Sequence, residues 1–132
     1  MATLSKTRMQ QLGYRPPLNE SEPEQLVLLD VVSDGRVAII ALNRPHADNA
    51  ITTELAAQGI EALETIAART SIRCVIITGA GDRAFSVGGD LYQRKNMTQE
   101  QWLRQRQVFD RFLYTIRQMR RPMIAAVQGM AY

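Results

Sequence analysis

An α/β fold is what the sequence predicts, and three observations predict it. Val- and Ile-rich runs of strand length recur at residues 26–32, 36–42, 73–78 and 123–127. Two longer stretches between them repeat apolar residues every three or four positions, as a helix with one buried face requires. The resulting order is strand, strand, helix, strand, helix, strand, without an internal repeat of fixed length.

The first two runs flank Ser33-Asp34-Gly35, a turn sequence in which Asp can bond its own backbone and Gly tolerates positive φ. They are predicted to form an antiparallel hairpin. A polar loop from Asn43 to Asn49, broken by Pro45, comes next. Ile51, Leu55, Gly59, Ala62, Leu63 and Ile66 then mark the buried face of a helix, with Glu54 placed to suit the dipole of its first turn. The run at 73–78 is apolar on both faces, which predicts a central, covered strand. Gly79 to Asp90 is a glycine-rich loop. Thr98-Gln99-Glu100-Gln101 has the form of a capping box. Trp102, Phe109, Phe112, Leu113, Ile116 and Met119 mark a long amphipathic helix, their aromatic stripe serving packing, and Pro122 ends it. A buried strand is predicted at 123–127, and Gln128-Gly129 begins a turn. A terminus just beyond an apolar strand leaves one face without cover, so the expectation is a larger fold cut about halfway. Residues 1–25 are expected to be a flexible N-terminal extension, and 26–132 the N-terminal part of the domain.

The 132 residues suffice for one domain. No apolar run approaches the roughly 20 residues that span a bilayer, so no membrane partner is expected. Cys74 is the only cysteine, which precludes an internal disulfide and suits a reducing, cytoplasmic setting. Residues 1–19 carry Lys6, Arg8 and Arg15 and no acid, as a transit peptide would, but Gly13 and Pro16-Pro17 favour a plain extension. The net charge is +3. The excess lies between Arg94 and Arg121, where only Glu100 and Asp110 oppose eight cations. A solvated helix face accounts for this, with an anionic ligand as the alternative. No nucleic-acid module surrounds these residues. No His, Cys and carboxylate cluster has metal-ligand spacing. His46, the sole histidine, reads as an exposed loop residue, and Cys74 as a small buried hydrophobe.

The glycine loop admits two chemistries. Gly79-Ala80-Gly81-Asp82-Arg83-Ala84 comes directly after a strand and fits the looser dinucleotide fingerprint. That motif needs a helix to begin at once and hold the pyrophosphate. Phe85-Ser86-Val87-Gly88-Gly89 starts a helix poorly, and the acid required about 20 residues on falls near Gln99 and Glu100, at a helix start. The second chemistry uses Gly88 and Gly89. A backbone N–H freed from secondary structure at such a turn can serve an oxyanion hole, a preorganised donor where negative charge develops. Asp90 beside it can cap the residues after it.

Three segments, in order and at matching separation, resemble one family. They are Leu42-Asn43-Arg44-Pro45 with Asn49-Ala50; Ala84-Phe85-Ser86-Val87-Gly88-Gly89-Asp90-Leu91; and Arg121-Pro122-Met123-Ile124-Ala125-Ala126-Val127-Gln128-Gly129-Met130-Ala131. These are similar to the L-N-R-P…N-A, A-F-x-x-G-[AG]-D-[LI] and K-P-x-I-A-A-V-x-G-x-A segments of the crotonase (enoyl-CoA hydratase/isomerase) family. The resemblance implies the first half of a spiral of ββα units, assembled as a homotrimer or hexamer. It implies acyl-CoA thioester substrates, with CoA carried by the substrate and no separate cofactor. Gly89 would supply one backbone N–H to an oxyanion hole that stabilises an enolate. A second donor, from a G-G-G stretch, and the hydratase glutamates would come after the third motif. Ala47 and Asn49 would lie near the adenine end of CoA, and Val87, Gly88, Asp90, Leu91 and Tyr92 along the ligand. Tyr92 stands where many hydratases carry a lysine. The resemblance leaves the reaction type within the family open. The alternative to enzyme chemistry is a non-catalytic CoA-binding or assembly fragment.

Overall fold

The computed structural model describes residues 25–132, so the expected N-terminal extension lies, apart from Gln25, outside the described residues. Strands β1 (Val27–Val32) and β2 (Val37–Leu42) form the predicted hairpin, antiparallel from Val27 against Leu42 to Val32 against Val37. Ser33, Asp34 and Gly35 all take positive φ at its turn. Helix α1 (Thr53–Ala68) crosses over to β3 (Cys74–Gly79), which pairs parallel to β2. Strand β4 (Ala84–Ser86) and a short helix α2 (Leu91–Lys95) lead into the long helix α3 (Gln99–Arg117). The chain then returns as β5 (Met123–Ala125), parallel to β3. The sheet order is β1-β2-β3-β5, and β6 (Met130–Ala131) pairs with β4 in a separate two-stranded sheet.

Alternation along the strands sets the core. In the observed register Val27, Leu29, Val31, Ala38, Ile40, Val75, Ile77 and Met123 share one face of the sheet. That face meets Ala56, Ile60, Leu63 and Ile66 of α1, with Phe112 of α3 packed into the same cluster. The apolar periodicity of α1 is thus a packing stripe. Thr52 caps the helix by accepting the Leu55 N–H at 3.1 Å. Ile51 falls outside the helix, against Gly89. Thr98 and Gln101 form the predicted capping box of α3.

Several expectations are corrected. Strand β5 is three residues long instead of five; Ile124 and Val127 are each 52% exposed, in line with the lack of cover expected at this end of the chain. Trp102 does not pack inward. It is 40% exposed, with the Arg106 guanidinium 5.8 Å from its ring. Helix α3 ends at Arg117, well before Pro122, and Cys74 is half-buried. The middle of the basic stretch is a solvated face, where Arg104 pairs with Glu100, Arg106 with Asp110, and Arg111 with Glu64 of α1, all exposed; Arg121 is instead half-buried and donates to the Ile72 and Arg69 carbonyls.

Where α1 meets α3, a Cβ on Gly59 would lie 2.5 Å from Cε2 of Phe112. Gly59→Ala gains about 1 kcal/mol of helix propensity. It also overpacks a buried ring, at a cost of about 1–3 kcal/mol. We expect a net loss of stability in urea unfolding, relieved when Phe112→Leu is added. A stabilised Gly59→Ala single variant would contradict this packing.

Candidate functional site

The loop after β2 is organised around one side chain. Asn49 has φ of 55°, in the left-handed region that Asn tolerates better than most residues. Its side chain is fully buried. Oδ1 accepts the Arg44 N–H at 2.9 Å, while Nδ2 donates to the carbonyls of Ala80 at 3.0 Å and Ala84 at 2.8 Å. Gly79 has no room for a side chain: a Cβ there would collide with the Phe85 and Ala84 carbonyl oxygens as well as with Asn49 Nδ2. Ser86 Oγ donates to the Asn49 carbonyl at 2.8 Å and accepts the Gly88 N–H at 3.2 Å.

A buried ion pair joins the same two loops. Arg44 Nη1 donates to Asp90 Oδ2 at 2.8 Å and to the Ala50 carbonyl at 2.7 Å. Asp90 Oδ1 accepts the Gln93 N–H at 2.9 Å, which caps α2. Burial pushes the Asp90 carboxyl up. The Gln93 N–H and the Arg44 guanidinium outweigh it and hold the group below the ordinary aspartate value.

Between these anchors lies Gly89. The Ile51 N–H donates to the Gly88 carbonyl at 2.8 Å, and the Asp90 N–H donates to the Ile51 carbonyl at 2.9 Å. This is a parallel bridge of Ile51 with Gly89. In such a bridge the neighbours of the central residue make the bonds, so the central residue's own N–H points away. The Gly89 N–H accordingly has no acceptor among the described residues. Gly88, with φ of 81°, supplies the left-handed turn into the bridge.

The third motif closes one side. Gln128 Nε2 donates to the Gly79 carbonyl at 2.6 Å, and Thr78 Oγ1 donates to the Ala126 carbonyl at 2.9 Å. The N–H groups of Met130 and Tyr132 donate to the carbonyls of Arg83 and Ser86, both at 3.1 Å. Residues 130–132 thereby run alongside the Gly88 loop.

The residues singled out by sequence divide into two groups. Val87, Gly88, Gly89 and Ala47 are half-buried at the loop surface, and Leu91 and Tyr92 are 73% and 87% exposed. Asn49 and Asp90 are different. Asn49 was expected near the adenine end of CoA, and Asp90 along the ligand or as a cap; both are buried with their side chains committed to protein partners, and Asp90 does cap α2. His46 is exposed, as expected. The dinucleotide fingerprint does not hold, because Ala84 opens strand β4 and no helix starts there. Sequence reasoning missed the roles of Arg44, Ser86 and Gln105. The one available signal was charge: an arginine in the first motif and an aspartate in the second must pair if both are buried. Among the described residues no three His, Cys, Asp or Glu side chains gather as metal ligands. No helix there is long and apolar enough to cross a membrane.

Two consequences can be measured. A lowered folded pKa means that the contribution of Asp90 is complete above the unfolded aspartate pKa of about 3.9. It is lost as pH falls through the lower folded value. Asp90→Asn is expected to flatten the acid limb of the stability–pH curve below about pH 4, and an unchanged limb would contradict the pair's role. Asn49→Ala removes the partner of one N–H and two carbonyls and is expected to cost roughly 3 kcal/mol or more in chemical denaturation, since each unmade buried bond costs about 1–3. A loss below about 1 kcal/mol would show that the amide does not organise the loops.

Comparison with known proteins identifies the family. The family described as Enoyl-CoA hydratase/isomerase matches residues 33–132. The chain is 35% identical over 104 residues to YngF of Bacillus subtilis, named as a candidate enoyl-CoA hydratase/isomerase, covering 79% of this chain and 40% of that protein. It is 29% identical over 98 residues to the short-chain-enoyl-CoA hydratase of Clostridium acetobutylicum, covering 74% and 38%. Among solved structures, an enoyl-CoA hydratase from Bacillus anthracis superposes with TM-score 0.76 at 32% identity, over 81% of this chain and 41% of that one. One from Mycobacterium smegmatis gives TM-score 0.72 at 32% identity, over 79% and 40%. The chain thus spans about 40% of the length of such relatives. With the fold, the motif loops and these likenesses in agreement, the chain belongs to the enoyl-CoA hydratase/isomerase family, the crotonase family.

Proposed function

We propose that Gly89 supplies one N–H of an oxyanion hole for acyl-CoA thioesters, in hydratase- or isomerase-type chemistry that passes through an enolate. The observation that carries this is the Gly89 N–H, which has no acceptor among the described residues and is flanked by bonds on both sides of it. A donor fixed in place needs no reorganisation when charge develops on the thioester oxygen. The second donor would come from the segment after residues 130–132, which run beside the Gly88 loop. Val87, Gly88, Leu91 and Tyr92 would border the ligand, and Ala47 the adenine end of CoA. The hydratase glutamates would lie beyond the third motif. The whole protein would form a homotrimer or hexamer and work in the cytoplasm, where the lone Cys74 stays reduced. A second reading is a non-catalytic CoA-binding or assembly fragment, and the exposed Ile124 and Val127 support its assembly form alone.

The 132-residue chain is expected to show negligible hydration of crotonyl-CoA by absorbance. A missing oxyanion donor costs about 10²–10³ in kcat, and missing acid/base groups about 10²–10⁴. Binding tests the site itself. The chain should bind crotonyl-CoA more tightly than free CoA, by roughly fivefold for one hydrogen bond of about 1 kcal/mol. Gly89→Pro, which has no N–H, should erase that preference. An undiminished preference in a folded Gly89→Pro variant would defeat the assignment.

A further inference from the structure

The side chain that fills the space against Gly89 is a cation. A Cβ built on Gly89 would meet Nη2 of Arg94 at 2.7 Å, Cζ at 3.0 Å and Nε at 3.4 Å. Residue 89 therefore has to be small for the guanidinium to lie where it does. The guanidinium is held from behind. Its Nε donates to Gln105 Oε1 at 3.2 Å, and its Cζ sits 5.6 Å from the centre of the Phe109 ring. Gln105 is itself 2% exposed and fixed by bonds from Nε2 to Thr53 Oγ1 at 3.0 Å and to Gln93 Oε1 at 2.8 Å. A buried amide on α3 thus orients a guanidinium on α2 toward the loop carrying the free N–H. Among the described residues no carboxylate pairs with Arg94. The acids of the adjoining elements are committed elsewhere, Asp90 to Arg44 and Glu54 to Gln93.

We propose that Arg94 is a second electropositive element of the Gly89 site, a positioning residue whose guanidinium favours negative charge on the oxygen bound by the Gly89 N–H. This rests on the oxyanion reading above and extends it to a side chain. An oxygen hydrogen-bonded to the Gly89 nitrogen lies no more than about 8 Å from the guanidinium, given ordinary bond and hydrogen-bond lengths. At that range a unit charge near a protein surface still shifts an ionisation, by up to about tenfold. Arg94 is exposed, so salt weakens the effect without removing it.

The test uses acetoacetyl-CoA, a β-ketothioester whose α-proton leaves to give an enolate with its own near-ultraviolet band. Its apparent enolate pKa is measured bound to the 132-residue chain and free in solution. The unsubstituted chain is expected to lower it. Arg94→Gln should raise the bound value by up to about one unit, and Arg94→Lys should restore part of the difference. Gly89→Ala keeps the N–H but displaces the guanidinium, so it should raise the value as well. This second variant reports on the charge without altering Arg94. Equal enolate pKa values for the unsubstituted chain, Arg94→Gln and Gly89→Ala would overturn the role of Arg94 and leave the Gly89 assignment intact. No lowering by the unsubstituted chain would overturn both.

Discussion

The site depends on one constraint: a buried arginine and a buried aspartate, 46 residues apart, must find each other. Arg44 and Asp90 lie in the interior, where an unpaired charge costs several kcal/mol. Their pairing sets the register of the loop after β2 against the loop after β4. Asn49 adds two bonds from the loop after β2 to the carbonyls of Ala80 and Ala84, and one within its own loop to the Arg44 N–H. Once these are made, Ile51 and Gly89 have to meet as a bridge, and the bridge geometry turns the Gly89 N–H outward. The proposed oxyanion donor is a backbone atom, and the side chains that hold its loop are bonded to protein partners.

The fold supplies the edge on which this happens. Strands β2, β3 and β5 are parallel, and the loops that carry the motif residues follow their C-terminal ends at Leu42, Gly79 and Ala125. Loops at the carboxyl ends of parallel strands are where α/β sheets place their ligands. Helix α1 serves as the crossover and gives its apolar stripe to the sheet, while α3 lies against α1 and carries Gln105 toward α2. The helix that fills the core with Phe112 therefore also fixes Arg94 through Gln105.

Legibility in the sequence was local. The hairpin could be read from alternating apolar residues around Ser33-Asp34-Gly35, α1 from its periodicity, and the start of α3 from Thr98 and Gln101. Each signal sits within a few residues of its effect. Strand β4 was not legible, because its partner β6 lies far along the chain and both are very short. Helix α2 was missed for its length of five residues. The burial of Asn49 and Asp90 escaped for a different reason: polar residues in a loop read as solvent- or ligand-facing until their partners are known. Family resemblance pointed to Gly89, but it said nothing of what holds the loop. The exposure of Trp102 also went against the pattern, since helical spacing shows which residues share a face and not how far the neighbouring element reaches.

The central claim is that Gly89 offers a free, fixed N–H while its neighbours are bound. Amide hydrogen exchange resolved by NMR tests it most directly. The account predicts slow exchange at Ile51 and Asp90, whose N–H groups are bonded, and fast exchange at Gly89 in the free chain. Saturation with crotonyl-CoA should slow Gly89 selectively. A Gly89 amide as protected as that of Asp90 in the free chain, or one indifferent to the bound thioester, would contradict it.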